Sequence, residues 1–152
     1  MKKAYLFFMM TILGVMAICS MPVQTHALKV SNFEHSYTGT WVKSYDTDDE
    51  DGIINETGTV TVDIYTLDKT GKISYAYVTF DDADSSYFAT GYIYKKHGKS
   101  HIILNYSTLS SDSYIYGLSI TGHITKNKIN GTYDHYDQYY DQYWGGTIKA
   151  VR

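Results

Sequence analysis

The chain has 152 residues, a formal charge of −3, 43% hydrophobic residues, and a single Cys and a single Pro. One Cys excludes a disulfide framework within the chain. The mildly acidic balance argues against nucleic acid, whose phosphates require a basic footprint.

In chain order, residues 1–27 read as a secretory signal: Lys2 and Lys3, an apolar run from Ala4 to about Met21, Pro22, and a small-residue exit at Thr25-His26-Ala27. Cleavage after Ala27 would leave one domain over 28–152, secreted and not embedded in a membrane. Ile18 is bulky where a lipoprotein signal places a small residue, so a lipid anchor on Cys19 is the weaker alternative. Losing Lys2 and Lys3 and no acid takes the formal charge from −3 to −5. Every Met, the Cys and the Pro leave with that segment, so the remaining domain depends on its core and its sheet hydrogen bonds.

Beyond Leu28 the composition favours Tyr, Thr, Ser, Ile, Val and Gly over helix formers, the profile of strands. Eight strand-like runs follow: Tyr37 to Tyr45, Gly58 to Leu67, Lys72 to Phe80, Tyr87 to Lys96, His101 to Tyr106, Tyr114 to Thr125, Lys128 to Tyr133 and Tyr143 to Val151. Val60, Val62 and Ile64 alternate with Thr59, Thr61 and Asp63, and such period-two patterning marks half-buried strands.

The connections alternate in character. Asp46 to Thr57, Asp81 to Ser85, Ser107 to Ser113 and Asp134 to Gln142 are long and acidic, while Asp68 to Lys72, His97 to Ser100 and Lys126 to Lys128 are short and rich in Gly, Lys and Asn. Gly71 and Gly98 stand where a type I turn with a following bulge needs positive φ. Short turns make sequence neighbours spatial neighbours. The expected fold is therefore all-β, an eight-stranded antiparallel up-and-down meander closed into a barrel, with a two-layer β-sandwich as the alternative. Alternate connections lie at opposite ends, so one end gathers acids and tyrosines and the other lysines.

Gly39-Thr40-Trp41 on the first strand and the closing Arg152 resemble the calycin superfamily of lipocalins, fatty-acid-binding proteins and avidins. The resemblance implies a barrel with a pocket, in which Trp41 plugs the closed end and Arg152 packs over it as a cation-π partner. Departures accompany it. Asp112-Ser113-Tyr114 only approximates the lipocalin Thr-Asp-Tyr motif, and Val42-Lys43-Ser44-Tyr45 lacks the polar residues with which avidins hold biotin.

If Trp41 points inward, alternation carries Tyr37, Lys43 and Tyr45 with it, and parity from Arg152 sends Trp144, Gly146, Ile148 and Ala150 inward. Val62, Ile64, Tyr92, Tyr94, Leu104, Tyr106, Tyr114, Tyr116, Leu118 and Tyr133 complete the expected lumen. The candidate ligand-binding residues are Trp41, Tyr45, Tyr92, Tyr94, Tyr106, Tyr116, Tyr133, Tyr140 and Trp144, because a tyrosine joins apolar area to a hydrogen-bonding tip. Aromatics on strands also fill cores and pair across strands, the plainer reading of any one of them.

The expected function is binding of a small hydrophobic, amphipathic or aromatic ligand in this mouth. The alternative is recognition of a surface glycan or protein through the Tyr-rich segment 133–144, where Asp-Gln-Tyr occurs twice. No cofactor, metal or catalytic activity is expected. Asp46 to Gly52 is acidic but fails the EF-hand spacing, which leaves generic calcium binding or a solvated loop. His97, His101, His123 and His135 lack zinc spacing, and no nucleophile-elbow frame surrounds any Ser.

Overall fold

A computed structural model describes residues 28–47, 56–81, 86–109 and 115–152. The signal segment, Asp48 to Gly52 of the acidic connection, Asp82, Asp84 and Tyr114 lie outside the described residues. Eight strands run in chain order: β1 (Ser36–Asp46), β2 (Thr57–Leu67), β3 (Lys72–Phe80), β4 (Ser86–Lys96), β5 (Lys99–Leu109), β6 (Ile115–Ile124), β7 (Lys128–Asp137) and β8 (Gln142–Val151). Each pairs antiparallel with the next, and β8 returns to β1 through Gly39↔Ala150 and Trp41↔Ile148. This closure rules out the sandwich and removes both edges an open sheet would expose.

Alternation decides what fills the lumen. On β2, Val60, Val62 and Ile64 are buried, and so are Ala76 and Val78 on β3, Ile102 and Leu104 on β5, Ile120 and Ile124 on β6, and Ile148 and Ala150 on β8. Each large aliphatic chain removed from water contributes about 1.5–3 kcal/mol. An eight-stranded barrel is just wide enough for its inward side chains to meet, so these residues form a core and not a pore.

Several boundaries differ from those read in the sequence. β5 begins at Lys99 because Lys96 pairs directly with Lys99, leaving His97 and Gly98 as a two-residue turn with φ of 50° and 77°. Two successive positive φ values define a type I′ hairpin, not the type I turn with a bulge expected there. The expected bulged turn does occur after β2: Gly71 has φ 95°, and Asp68 Oδ1 accepts hydrogen bonds from the backbone N–H of Thr70 at 2.8 Å and of Lys72 at 3.0 Å.

The larger difference concerns segment 133–144. It is a paired hairpin and not a long loop, with His135↔Trp144, Tyr136↔Tyr143 and Asp137↔Gln142 in register. Its charged and aromatic residues obscure a period-two pattern in which Tyr133, His135 and Asp137 are buried. Only four residues turn the chain, and the buried carboxylate of Asp137 accepts the Tyr139 N–H at 2.9 Å to hold that turn.

The tight-turn end is closed by the chain before β1. A 3-10 turn at Val30–Asn32 brings Phe33 into the core, Glu34 Oε1 accepts the Leu67 N–H at 3.0 Å, and the Leu28 N–H donates to the Lys69 carbonyl at 3.2 Å. Tyr37 is fully buried just inside and donates to the Thr125 carbonyl at 3.2 Å. Burial raises its hydroxyl pKa to about 12, with the Arg152 charge opposing.

Candidate functional site

The half of the lumen facing the long connections is built differently. Trp41, Phe80 and Tyr133 are buried and form a floor of three rings, with Phe80 and Tyr133 centroids 5.1 Å apart and Trp41 edge-on to each at 6.4 Å. Offset and edge-to-face contacts place the positive edge of one ring against the negative face of the next. The Trp41 indole N–H donates to Asp81 Oδ1 at 2.9 Å, at the end of β3. Gly58 makes room for that bond, since a Cβ there would collide with the Asp81 carboxylate and the indole nitrogen.

Above the floor stand the half-buried Tyr87, Tyr106 and Trp144, which pack against the core around His135. Tyr87 lies edge-on to Tyr106 and to His135, each at 5.3 Å, and His135 is edge-on to Trp144 at 4.0 Å. His135 is 9% exposed, and its Nε2 has no hydrogen-bond partner. Among the described residues the only other buried side-chain polar atom in that condition is His35 Nε2, near the opposite end. Buried polar groups are ordinarily satisfied. Burial also lowers the His135 pKa to about 4, against the raising influence of Asp137, so the imidazole is neutral at physiological pH.

One wall carries charge. Lys43 points inward and its ammonium lies 2.7 Å from Asp46 Oδ2 and 3.2 Å from Glu56 Oε2. Burial disfavours the Lys43 charge, but hydrogen bonds and charge from Asp46 and Glu56 outweigh it and raise its pKa. Gln142 Nε2 donates to Asp46 Oδ1 at 3.2 Å, tying the pair to β8.

The structure divides the sequence-derived candidates. Trp41, Tyr106, Tyr116, Tyr133 and Trp144 lie on inward positions of the aromatic half. Tyr45 does not, because a bulge between Lys43 and Tyr45 reverses the alternation. Its ring faces outward, its hydroxyl donates to Asp134 Oδ1 at 2.7 Å, and burial followed by that carboxylate raises its pKa. The same bulge swings Asp46 to the inner face. Tyr92 and Tyr94 also point outward, since β4 buries Ala89, Gly91 and Ile93. Gly91 faces in because its backbone approaches the Ile103 carbonyl too closely for a side chain. Tyr140 is 66% exposed on the β7–β8 turn.

Trp41 and Arg152 do not form the expected pair. Trp41 is bound to Asp81 towards the long connections, whereas Arg152 sits at the other end, its N–H on the Asn127 carbonyl and its charge felt by Tyr37. Tyr37 therefore occupies the closed-end position expected of Trp41.

Sequence reasoning missed His135, Phe80, Tyr87 and Asp46. For His135 the signal was present: continuing the alternation two residues past the inward Tyr133 reaches it. For Asp46 no signal was available without knowing the bulge.

Among the described residues no three His, Cys, Asp or Glu side chains sit together as a metal site, and no helix is long and apolar enough to cross a membrane. By fold the molecule is a closed eight-stranded up-and-down barrel. No protein-family model, curated protein or solved structure matches the chain.

Proposed function

We propose that this is a secreted, calycin-like barrel that binds a small flat aromatic or amphipathic ligand at its aromatic end. The observation that carries the reading is the buried, unpartnered Nε2 of His135, set between the rings of Tyr87 and Trp144. A neutral imidazole in an aromatic wall supplies one directional hydrogen bond amid apolar area, the usual composition of a small-molecule site. The Lys43 charge is matched by two carboxylates, which favours a ligand without net charge over an anion. The reading is one of binding, since a directional hydrogen bond within an aromatic wall orients a ligand.

The test is fluorescence titration of Trp41 and Trp144 with a panel of neutral planar probes such as indole and 2-naphthol, alongside native mass spectrometry of the secreted protein. Saturable quenching that His135→Phe and Trp144→Ala abolish is the expected result. A flat response across the panel together with no retained ligand would remove the reading.

A second reading rests on Tyr139 and Tyr140, 55% and 66% exposed and edge-to-face at 4.7 Å on the β7–β8 turn. Exposed rigid aromatics on a loop suit recognition of a glycan or protein surface. Replacing both with Ser would abolish such binding and leave the probe titration unchanged.

A further inference from the structure

A second feature lies on the outer wall near the tight-turn end. Ladder register aligns Tyr94, His101, His123, Asn130 and Lys149 in one row across β4, β5, β6, β7 and β8. One step towards the turns, Lys96 pairs with Lys99 and Lys128 pairs with Val151. Lys96, Lys99, His123, Lys128 and Lys149 are all exposed. Neighbouring strands lie about 4.8 Å apart, so the row runs about 20 Å around the barrel. No Asp or Glu side chain of the described residues falls in these rows or is seen in an ion pair with these cations. The described acids belong to the opposite end or to the β1–β3 side.

We propose that this wall binds a linear sulfated glycan, more tightly as the pH falls. The occupant follows from charge and shape. A cationic strip on an otherwise acidic protein complements a polyanion, and a row that curves around a barrel suits a flexible chain better than the plane of a membrane. Single-stranded nucleic acid needs ring faces for its bases, but Tyr94 is already stacked on His101 at 5.3 Å and 19°.

The pH response comes from the histidine pair. His101 and His123 ring centroids are 4.2 Å apart. Burial first, then His123, Lys96 and Lys99, lower the His101 pKa, so His101 resists protonation in the unliganded protein. The groups facing the two rings are Tyr94 from β4, Lys96 and Lys99 from the hairpin turn, Asn130 from β7 and, beyond it, Lys149 from β8. None is an acid, so a bound sulfate would be the first negative charge the imidazoles meet. Sulfate esters stay ionised throughout histidine titration, and each proton taken up adds attraction.

The experiment is titration of the full chain with fluorescein-labelled dextran sulfate, read by anisotropy at about pH 7.5 and 5.5, with melting temperatures confirming that each variant is folded. Affinity should rise roughly tenfold or more on acidification and fall roughly tenfold or more between about 50 and 200 mM salt. The Lys99→Glu, Lys149→Glu double variant should lose about tenfold or more, whereas Lys69→Glu on the β2–β3 turn should change affinity less than about twofold. The His101→Gln, His123→Gln variant should keep its binding at the higher pH and lose the gain at the lower. Absence of binding, equal losses in Lys69→Glu, a pH-independent affinity, or tighter binding to phosphatidylglycerol vesicles or polyuridylate would each overturn the proposal.

Discussion

The two halves of the lumen are made from the same strands yet solve different problems. Towards the tight turns, inward positions hold Val62, Ile73, Ile93, Ile124 and Ile129, all buried, and the end is closed by Tyr37 and Phe33. Towards the long connections the same strands supply Trp41, Phe80, Tyr87, Tyr106, Tyr133, His135 and Trp144, with Lys43 and Asp46 at the wall. Branched aliphatics interlock without polar atoms and need no partners. Rings, an imidazole and an ion pair all require particular neighbours, and one of those requirements, at His135 Nε2, is unmet. Stability concentrates in one half and chemical demand in the other.

Three measurements would test that division. The largest effect is expected from the aliphatic half: Ile124→Ala, beside Ile129, should cost about 2–5 kcal/mol in urea unfolding and leave probe binding in the folded fraction unchanged. Loss of binding with little loss of stability would place the site in the wrong half.

Next is the pH dependence of the aromatic half. The His135 pKa is lowered from its ordinary 6.5 to about 4, so between those values the unfolded chain binds the extra proton and the folded one does not. Stability should therefore fall as pH drops from about 6.5 to 4, by about 3 kcal/mol at most, and this component should vanish in His135→Phe. An unchanged unfolding profile in that variant would show that the ring is protonated in the fold.

The third concerns the wall. Asp46→Asn leaves Lys43 with Glu56 alone and should cost about 1.5–3 kcal/mol, because a largely buried ammonium loses its nearer carboxylate. Glu56→Gln should cost less than about 1 kcal/mol, since Glu56 is 63% exposed. A reversal of that order would mean that Glu56 is the principal partner.

Legibility in the sequence followed the same division. Strand number and meander order were readable, because β-branched alternation and Gly-bearing turns are local signals and each hairpin follows from its own residues. The aliphatic lumen was readable for the same reason, as Val60, Val62 and Ile64 illustrate. The aromatic half was readable only in part. Trp41, Tyr106, Tyr116, Tyr133 and Trp144 face inward as alternation implies, but Tyr92 and Tyr94 were placed by residue type, and β4 instead gives its inner face to Ala89, Gly91 and Ile93. Tyr45 and Asp46 exchanged faces at a bulge that nothing in the local sequence announces. His135 was hidden by composition, since a run of Tyr, Asp and Gln reads as a loop even where its alternation persists.

The seam between β1 and β8 has a further consequence, for how the molecule forms. Seven of the eight ladders join strands adjacent in the chain, and each can zip from its own connection. The eighth joins Trp41 to Ile148, from nearly opposite ends of the described chain, and so closes the longest loop of the eight. Closing that seam is entropically the most demanding of the eight pairings, and opening it would leave a curling sheet with two unsatisfied margins.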